Sequence, residues 1–240
     1  MSPRAAFVAK ALRRRSPSPK ASAPLLLKGR RVLVLRHDHI GDLVMALPLL
    51  DALKASGAFV GLLAAKATVP LLRQDPRVDL LLTDGPEVLG NLRRSAFDTA
   101  LVLWASRRNA WLVRRSGIPE RLGPSWRPYS GLFTRRLSLR RGQGWTREGE
   151  LNLEFGRALG CPADFSPPPR LFLPASARVQ AKAWLKKNGP PGSGPLVLLH
   201  PGSGGSAQPW PAERFAALGL ELKHRYGARL LVTGGPQDHE

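Results

Sequence analysis

The chain has 240 residues, of which 43% are hydrophobic, and a formal net charge of +20 at pH 7. This length suits one large domain or two small ones with a buried core, and the single cysteine, Cys161, excludes an internal disulfide and fits a reducing compartment. Because no apolar run reaches the roughly 18 residues that a membrane span needs, we expect a soluble or peripheral protein.

The positive charge is concentrated in two places. Residues 1–31 contain nine Lys or Arg and no acid, and residues 1–29 are predicted to form a basic, disordered tail, with an organelle transit peptide as the alternative. Residues 93–147 contain thirteen arginines and two acids. Such a surface attracts polyanions, whether phosphorylated lipid head groups or nucleic acid.

Apolar runs alternate with helical patterns between residues 30 and 160. Strands are predicted at 32–35, 59–64, 80–82 and 99–103, and helices at 42–55, 69–74, 109–116 and 148–159. This alternation is typical of an α/β fold with a parallel, doubly wound sheet rather than of a β-sandwich or a helical bundle. Residues 30–160 are therefore predicted to form an N-terminal Rossmann-like domain.

A proline-rich segment follows, and five prolines between residues 161 and 175 interrupt both periodicities, so this segment is predicted to be a linker. In residues 176–240 a helix is predicted at 177–187, strands at 196–199 and 229–233, and a helix from Pro211 to about Tyr226, ended by Gly227. Two strands make only half of a nucleotide-binding fold, so the second domain is predicted to be incomplete, with an unpaired edge that exposes Leu230 and Val232.

The segment from Arg36 to Asp42 joins the first strand to the next helix, where open α/β sheets bind their ligands. Asp42 follows Gly41 and is a candidate general base or, alternatively, a helix N-cap. Three interpretations are open for the run His37-Asp38-His39: these residues contact a substrate, they are solvated loop residues, or they are metal ligands. The sequence argues against metal ligands, because no second cluster of Cys or His supplies the remaining ligands of a metal site.

A second loop, residues 200–209, combines glycines and serines ahead of a helix. Its backbone N–H groups at Gly202, Ser203 and Gly204 could cradle a phosphate, or the loop could be flexible without a ligand. It lacks the Gly-Lys-Ser/Thr of a P-loop and the Gly-x-Ser-x-Gly of a nucleophile elbow.

Taken together, the sequences around the two loops resemble those of glycosyltransferase family 9, which includes the bacterial heptosyltransferases. The resemblance is carried by Val32-Leu33-Val34-Leu35-Arg36, Ile40-Gly41-Asp42-Leu43-Val44, Leu199-His200-Pro201-Gly202-Ser203 and Trp210-Pro211-Ala212-Glu213-Arg214-Phe215. It implies a GT-B architecture of two Rossmann-like domains with parallel sheets, the second incomplete here because the chain ends inside it. It also implies a cytoplasmic enzyme that binds its acceptor on the N-terminal domain and is peripheral at the inner face of the inner membrane.

The resemblance further implies transfer of heptose, with inversion, from ADP-heptose to a phosphorylated lipid A–core glycolipid in lipopolysaccharide synthesis, without metal or cofactor. It assigns the catalytic role to Asp42. The other assignments are the acceptor-side residues His37, Asp38, His39 and Gly41, and the donor-phosphate residues Gly202, Ser203, Gly204 and Gln208.

One position departs from the family pattern. Relatives usually carry a lysine two residues before the Trp-Pro pair, where this chain has Gln208. A charged hydrogen bond is worth about 1.5–3 kcal/mol and a neutral one about 1 kcal/mol, so Gln208 is expected to stabilise the leaving phosphate less. A catalytically inactive, truncated relative is therefore one alternative. A basic nucleic-acid-binding protein, supported by charge alone, is the other.

Overall fold

The computed structural model describes residues 27–139, 147–162, 167–202, 208 and 210–235. The chain divides into two compact units, one up to Leu173 and one from Pro174. Among the described residues, no helix is long and apolar enough to cross a membrane.

The first unit is built on a six-stranded parallel sheet in the order β3-β2-β1-β4-β5-β6. The strands are β1 Arg31–Leu35, β2 Phe59–Ala64, β3 Leu80–Thr83, β4 Thr99–Val102, β5 Glu120–Pro124 and β6 Arg135–Leu137. The helices are α1 Ile40–Ala55, α2 Val69–Leu72, α3 Val88–Arg94, α4 Arg107–Arg115 and α5 Glu148–Ala158, with a 3₁₀ turn at Pro128–Leu132. The strand order reverses between β1 and β4, which opens a crevice at the carboxyl ends of these two strands.

The continuous apolar run of β1 is explained by burial on both faces of the sheet. Val32 and Val34 pack into a core with α1 and α5, whereas Leu33 and Leu35 pack into a second core on the opposite face. Alternate side chains of a strand point to opposite faces, so a parallel strand covered on both sides needs apolar residues at every position.

Helix α5 lies directly against α1. A Cβ added at Gly156 would stand 2.9 Å from Leu49 Cδ1, so the Leu49 side chain would have to shift to admit a larger residue there. This packing brings the start of α5 to the start of α1, and with it the carboxylate of Glu148.

The second unit contains α6 Ala175–Asn188, β7 Leu196–Leu199, α7 Ala212–Tyr226 and β8 Arg229–Val232, and β7 and β8 pair in parallel. Gly227 ends α7 in the left-handed conformation, at φ 60°, as predicted. Val232 is 63% exposed, as predicted. The same prediction for Leu230 is wrong, since Leu230 is half-buried with its Cδ1 against α7 at Gly219.

The predicted α/β class with parallel sheets is confirmed, and most predicted elements are present within two residues of their bounds. The sequence patterns missed α3, β5, β6 and the 3₁₀ turn. In the segment predicted as a linker, Cys161 is buried in the first unit's core. The backbone carbonyl of Arg170 accepts a hydrogen bond from Arg77 Nη2 at 2.7 Å, so Arg170 also lies on the first unit.

Candidate active site at the carboxyl end of the first strand

A cavity of about 310 Å³ opens where the strand order reverses. Its lining comes from the segments that follow β1, β4, β5 and β6. It comprises Arg36, Asp38, His39, Asp42, Leu103, Trp104, Ala105, Pro124, Trp126, Arg127 and Leu139. Open α/β sheets bind their ligands at this position, so three of the residues predicted for the site, Asp38, His39 and Asp42, meet in one cavity.

Arg36 is the centre of this cavity's charge network. Its side chain is only 3% exposed and meets three carboxylates. Nε lies 3.0 Å from Asp38 Oδ1, Nη2 lies 2.8 Å from Asp42 Oδ1, and Nη1 donates to Glu148 Oε1 at 3.3 Å. One buried guanidinium therefore ties the β1–α1 loop, the first turn of α1 and the start of α5 to a single geometry.

Asp42 lies in the first turn of α1, which begins at Ile40 with His39 as the N-cap residue. The N-cap alternative for Asp42 is therefore wrong, and its side chain instead pairs with Arg36 and remains 36% exposed. The positive end of the helix dipole favours a carboxylate at this position. Asp42 is thus a charged, oriented group that a ligand in the cavity can reach.

Asp38 differs from Asp42 in its burial, because its side chain is only 7% exposed. Burial raises the pKa of the Asp38 carboxyl above its ordinary value, although the charge of Arg36 opposes the change. His39 is exposed on the cavity lining. At Gly41 an added Cβ would meet nothing within 4 Å, so packing does not demand a glycine there.

His37 is buried and fully engaged within the protein. Its Nδ1 lies 3.0 Å from Asp84 Oδ2 and its Nε2 lies 3.0 Å from Asn109 Oδ1. The ring also packs edge-on against Trp104, with 5.0 Å between centroids. The metal-ligand and solvated readings are therefore wrong for His37, which instead fixes the Trp104 wall of the cavity. A direct contact of His37 with an acceptor stays a prediction.

Asp84, which pairs with His37, is itself held by Arg108. Burial acts to raise the pKa of the Asp84 carboxyl, but hydrogen bonds from Arg108 and the neighbouring His37 outweigh burial and hold that pKa below its ordinary value. Arg108 contacts both carboxylate oxygens, at 2.7 and 3.0 Å. Within the part of the chain that the structure describes, no group of three His, Cys, Asp or Glu side chains could hold a metal ion.

The second predicted loop follows β7 and precedes α7. Gly202 is half-buried and Gln208 is exposed, whereas Ser203 and Gly204 lie outside the described residues. His200 Nδ1 lies 3.0 Å from the carbonyl oxygen of Thr233, so the start of the loop is tied to the end of β8. The donor-phosphate role of this loop stays a prediction.

Sequence reasoning missed several functional candidates in the first unit. Arg36 is part of the first segment that carries the family resemblance, but the sequence does not indicate that it pairs with three carboxylates. Glu148, Trp104, Trp126 and Arg127 come from distant segments, and only the pattern of alternating strands and helices, which brings strand ends together, could have pointed to them.

Comparison with known proteins gives three informative matches. A Haemophilus influenzae protein named "Putative glycosyltransferase" is 28% identical over 225 residues, which is 88% of this chain and 65% of that protein. The structure of a family 9 glycosyl transferase from Veillonella parvula matches with a TM-score of 0.77 at 20% identity, over 91% of this chain and 66% of that one. The chain has the fold of glycosyltransferase family 9.

A third match agrees with this assignment. Escherichia coli ADP-heptose lps heptosyltransferase II matches with a TM-score of 0.67 at 22% identity, over 87% of this chain and 66% of that structure. No protein-family model matches the chain. The predicted resemblance to family 9 is confirmed, and the chain spans about two thirds of the length of each of these three relatives.

Proposed function

We propose that the protein is an inverting glycosyltransferase that uses Asp42 as the catalytic base. The observation that carries the proposal is the placement of Asp42. It is a partly exposed carboxylate, held by the buried Arg36 at 2.8 Å, in the cavity at the point where the strand order reverses. A glycosyl transfer needs a base at such a position to take the proton of the acceptor hydroxyl.

The proposed reaction is a single displacement. As the acceptor oxygen attacks the anomeric carbon, its proton moves to the Asp42 carboxylate. The bond between that carbon and the donor's phosphate oxygen breaks, and the nucleoside diphosphate leaves with the electron pair. Attack from the side opposite the leaving group inverts the configuration. Arg36 acts as a positioning residue, because it holds Asp42 Oδ1 and so orients the carboxylate.

For the donor we propose ADP-heptose, which appears in the name of the similar Escherichia coli enzyme. The phosphates would be held by the backbone at Gly202, Ser203 and Gly204 and by the amide of Gln208, because amides that precede a helix suit an anion.

For the acceptor we propose a phosphorylated lipid A–core glycolipid. Asp38, His39 and Gly41 would lie at its hydroxyls, while His37 would fix the neighbouring Trp104. These substrates would place the protein in the cytoplasm, peripheral to the inner face of the inner membrane.

The test is release of ADP from ADP-heptose in the presence of a lipid A–core acceptor, with the product's anomeric configuration read by NMR. Asp42→Asn is expected to lower kcat by two orders of magnitude or more, about the contribution of a general base, with little change in stability. Asp51→Asn is a matched control, since Asp51 lies on the same helix but pairs with Arg77 at 2.8 Å. It should reduce stability rather than turnover.

Two results would contradict the proposal. Turnover of Asp42→Asn close to that of the wild-type protein would exclude Asp42 as the base. Absence of any transfer by the wild-type protein would favour the inactive relative.

A further inference from the structure

We propose that the first unit binds anionic phospholipid membranes through one surface, called here the Arg/Trp face. It consists of Arg107, Trp111, Arg114, Arg115, Trp126 and Arg127. The inference deepens the membrane contact that the proposed function includes by naming the surface that makes it, but its test does not depend on transfer activity.

Helix α4 supplies the larger part of this face. Its buried side consists of Asn109, Ala110, Leu112 and Val113. Its exposed side presents Arg107, Trp111, Arg114 and Arg115, together with Arg108, which is paired with Asp84. Because the apolar side of α4 packs into the core, only this exposed side, with cations around one indole, can meet a membrane, and both kinds of side chain suit an anionic membrane surface.

A groove of about 690 Å³ continues the face next to the helix. Its walls are largely apolar and aromatic, from Trp111, Pro128, Tyr129 and Leu132, and arginines 107 and 127 also line it. The Tyr129 hydroxyl donates to the backbone carbonyl of Ala105, so the tyrosine ring is held in place as a wall. An apolar groove bordered by cations suits a molecule that has both a phosphate and a hydrocarbon portion.

Two large indoles are exposed on the face. Trp111 is 44% exposed and Trp126 is 48% exposed. The guanidinium carbon of Arg127 lies 3.8 Å from the ring centroid of Trp126, and that of Arg115 lies 5.4 Å from Trp111. Tryptophan has an apolar body and one N–H donor, which favours the boundary between lipid and water.

The charge of the face is not explained by pairing within the fold. Among the described residues, none of Arg107, Arg114, Arg115 and Arg127 forms an ion pair with a carboxylate, in contrast to Arg108. Arg114 and Arg115 suit the carboxyl end of α4, but Arg107 lies in its first turn, where the helix dipole disfavours a cation. Like charges without a carboxylate partner repel one another, so an external anion would stabilise them.

The face adjoins the candidate active site. Arg127 lines both the groove and the cavity that contains Asp42, and Trp126 lines that cavity as well. A membrane held at the face would therefore present phosphorylated head groups beside the proposed base. Nucleic acid is less well matched, because the groove walls are apolar, and it is treated as an outcome of the test.

The experiment is sedimentation of the full chain with vesicles of phosphatidylcholine alone and of equal parts phosphatidylcholine and phosphatidylglycerol. Binding is expected only to the anionic vesicles. The double variant Arg114→Gln/Arg115→Gln should bind them about 25-fold more weakly, since each cation near an anionic surface contributes about fivefold. Arg114→Lys/Arg115→Lys should retain binding.

The control variants remove two positive charges, or one tryptophan side chain, from helix α6 instead of from the Arg/Trp face. Lys186→Gln/Lys187→Gln deletes two exposed neighbouring cations of α6, and Trp184→Ala deletes an exposed indole there. Both should bind like the wild-type protein, whereas Trp111→Ala should bind several-fold more weakly. Circular dichroism should show unchanged folding in every variant, because the altered side chains are exposed.

Three results would overturn the inference. The first is an equal loss of vesicle binding in the Arg114/Arg115 and Lys186/Lys187 variants, which would indicate attraction by the overall charge of the chain, including the basic residues 1–31. The second is wild-type binding by the Arg114→Gln/Arg115→Gln variant. The third is tighter binding to duplex DNA than to anionic vesicles, lost in the same variant. Vesicle binding without sugar transfer would leave the face established and the proposed function refuted.

Discussion

Replacing Arg36 with methionine removes the charge that joins three carboxylates while keeping a side chain of similar length. Asp38 is then left 7% exposed without its neighbouring cation, and Glu148 and Asp42, at 22% and 36% exposure, lose the same partner. Removing one partner of a buried ion pair costs about 3–5 kcal/mol. Because Asp38 is the most buried of the three, most of this cost comes from Asp38.

The stability lost in Arg36→Met should depend on pH, in a direction that follows from the pKa of Asp38. In the wild-type protein the pKa of Asp38 is raised above 3.8 by burial and opposed by Arg36. A raised carboxyl pKa favours the folded state fully below 3.8, and this contribution is lost as the pH rises through the folded-state pKa. Without Arg36 the Asp38 pKa rises further, so the difference between variant and wild type should be largest near neutral pH and shrink toward pH 3.8.

The assay is urea unfolding followed by circular dichroism at several pH values, on the wild type, Arg36→Met and the double variant Arg36→Met/Asp38→Asn. The double variant should recover part of the lost stability at neutral pH. A loss below about 1 kcal/mol at neutral pH, the range of exposed ion pairs, would refute the reasoning. A loss that stays constant down to pH 3.8 would refute the attribution to buried carboxylates.

Three other predictions concern Asp42, Gln208 and Gly61. Asp42→Asn should lower kcat far more than the unfolding free energy, and measuring both on one preparation distinguishes a base from a structural acid. Gln208→Lys should raise kcat by between about twofold and about thirtyfold, because a charged hydrogen bond to the leaving phosphate is stronger than a neutral one by about 0.5–2 kcal/mol; unchanged kinetics would contradict the phosphate role of this loop. Gly61→Ala should destabilise the fold by about 1–3 kcal/mol, because its Cβ would lie 2.2 Å from Phe97 Cζ, and Gly85→Ala, with nothing within 4 Å, is the control that should be nearly neutral in urea unfolding.

The local sequence determined the parts of the fold that depend on short-range patterns. The run from Val32 to Leu35 predicts a strand buried on both faces, since every position is apolar. Gly227 predicts the end of α7, because it can adopt a positive φ without strain. The alternation of strands and helices predicts that the loop carrying Asp42 lies at a sheet edge where ligands bind.

Local sequence patterns did not predict the strands that contain few hydrophobic residues. β5 and β6 include Arg121, Arg135 and Arg136, and their apolar neighbours are too few to show an alternation. These strands form because they extend a sheet that is already present. Pairing to a neighbouring strand decided their structure, and that neighbour is remote in sequence.

The charge network of the candidate site was decided by tertiary structure alone. Arg36 and Glu148 are 112 residues apart in sequence, and they meet because α5 packs against α1. His37 appeared to be a loop residue but is buried by Asp84 and Asn109, which belong to other segments. The sequence placed Asp42 at the right edge of the sheet, but the groups that hold and orient the site come from long-range packing, which no local pattern records.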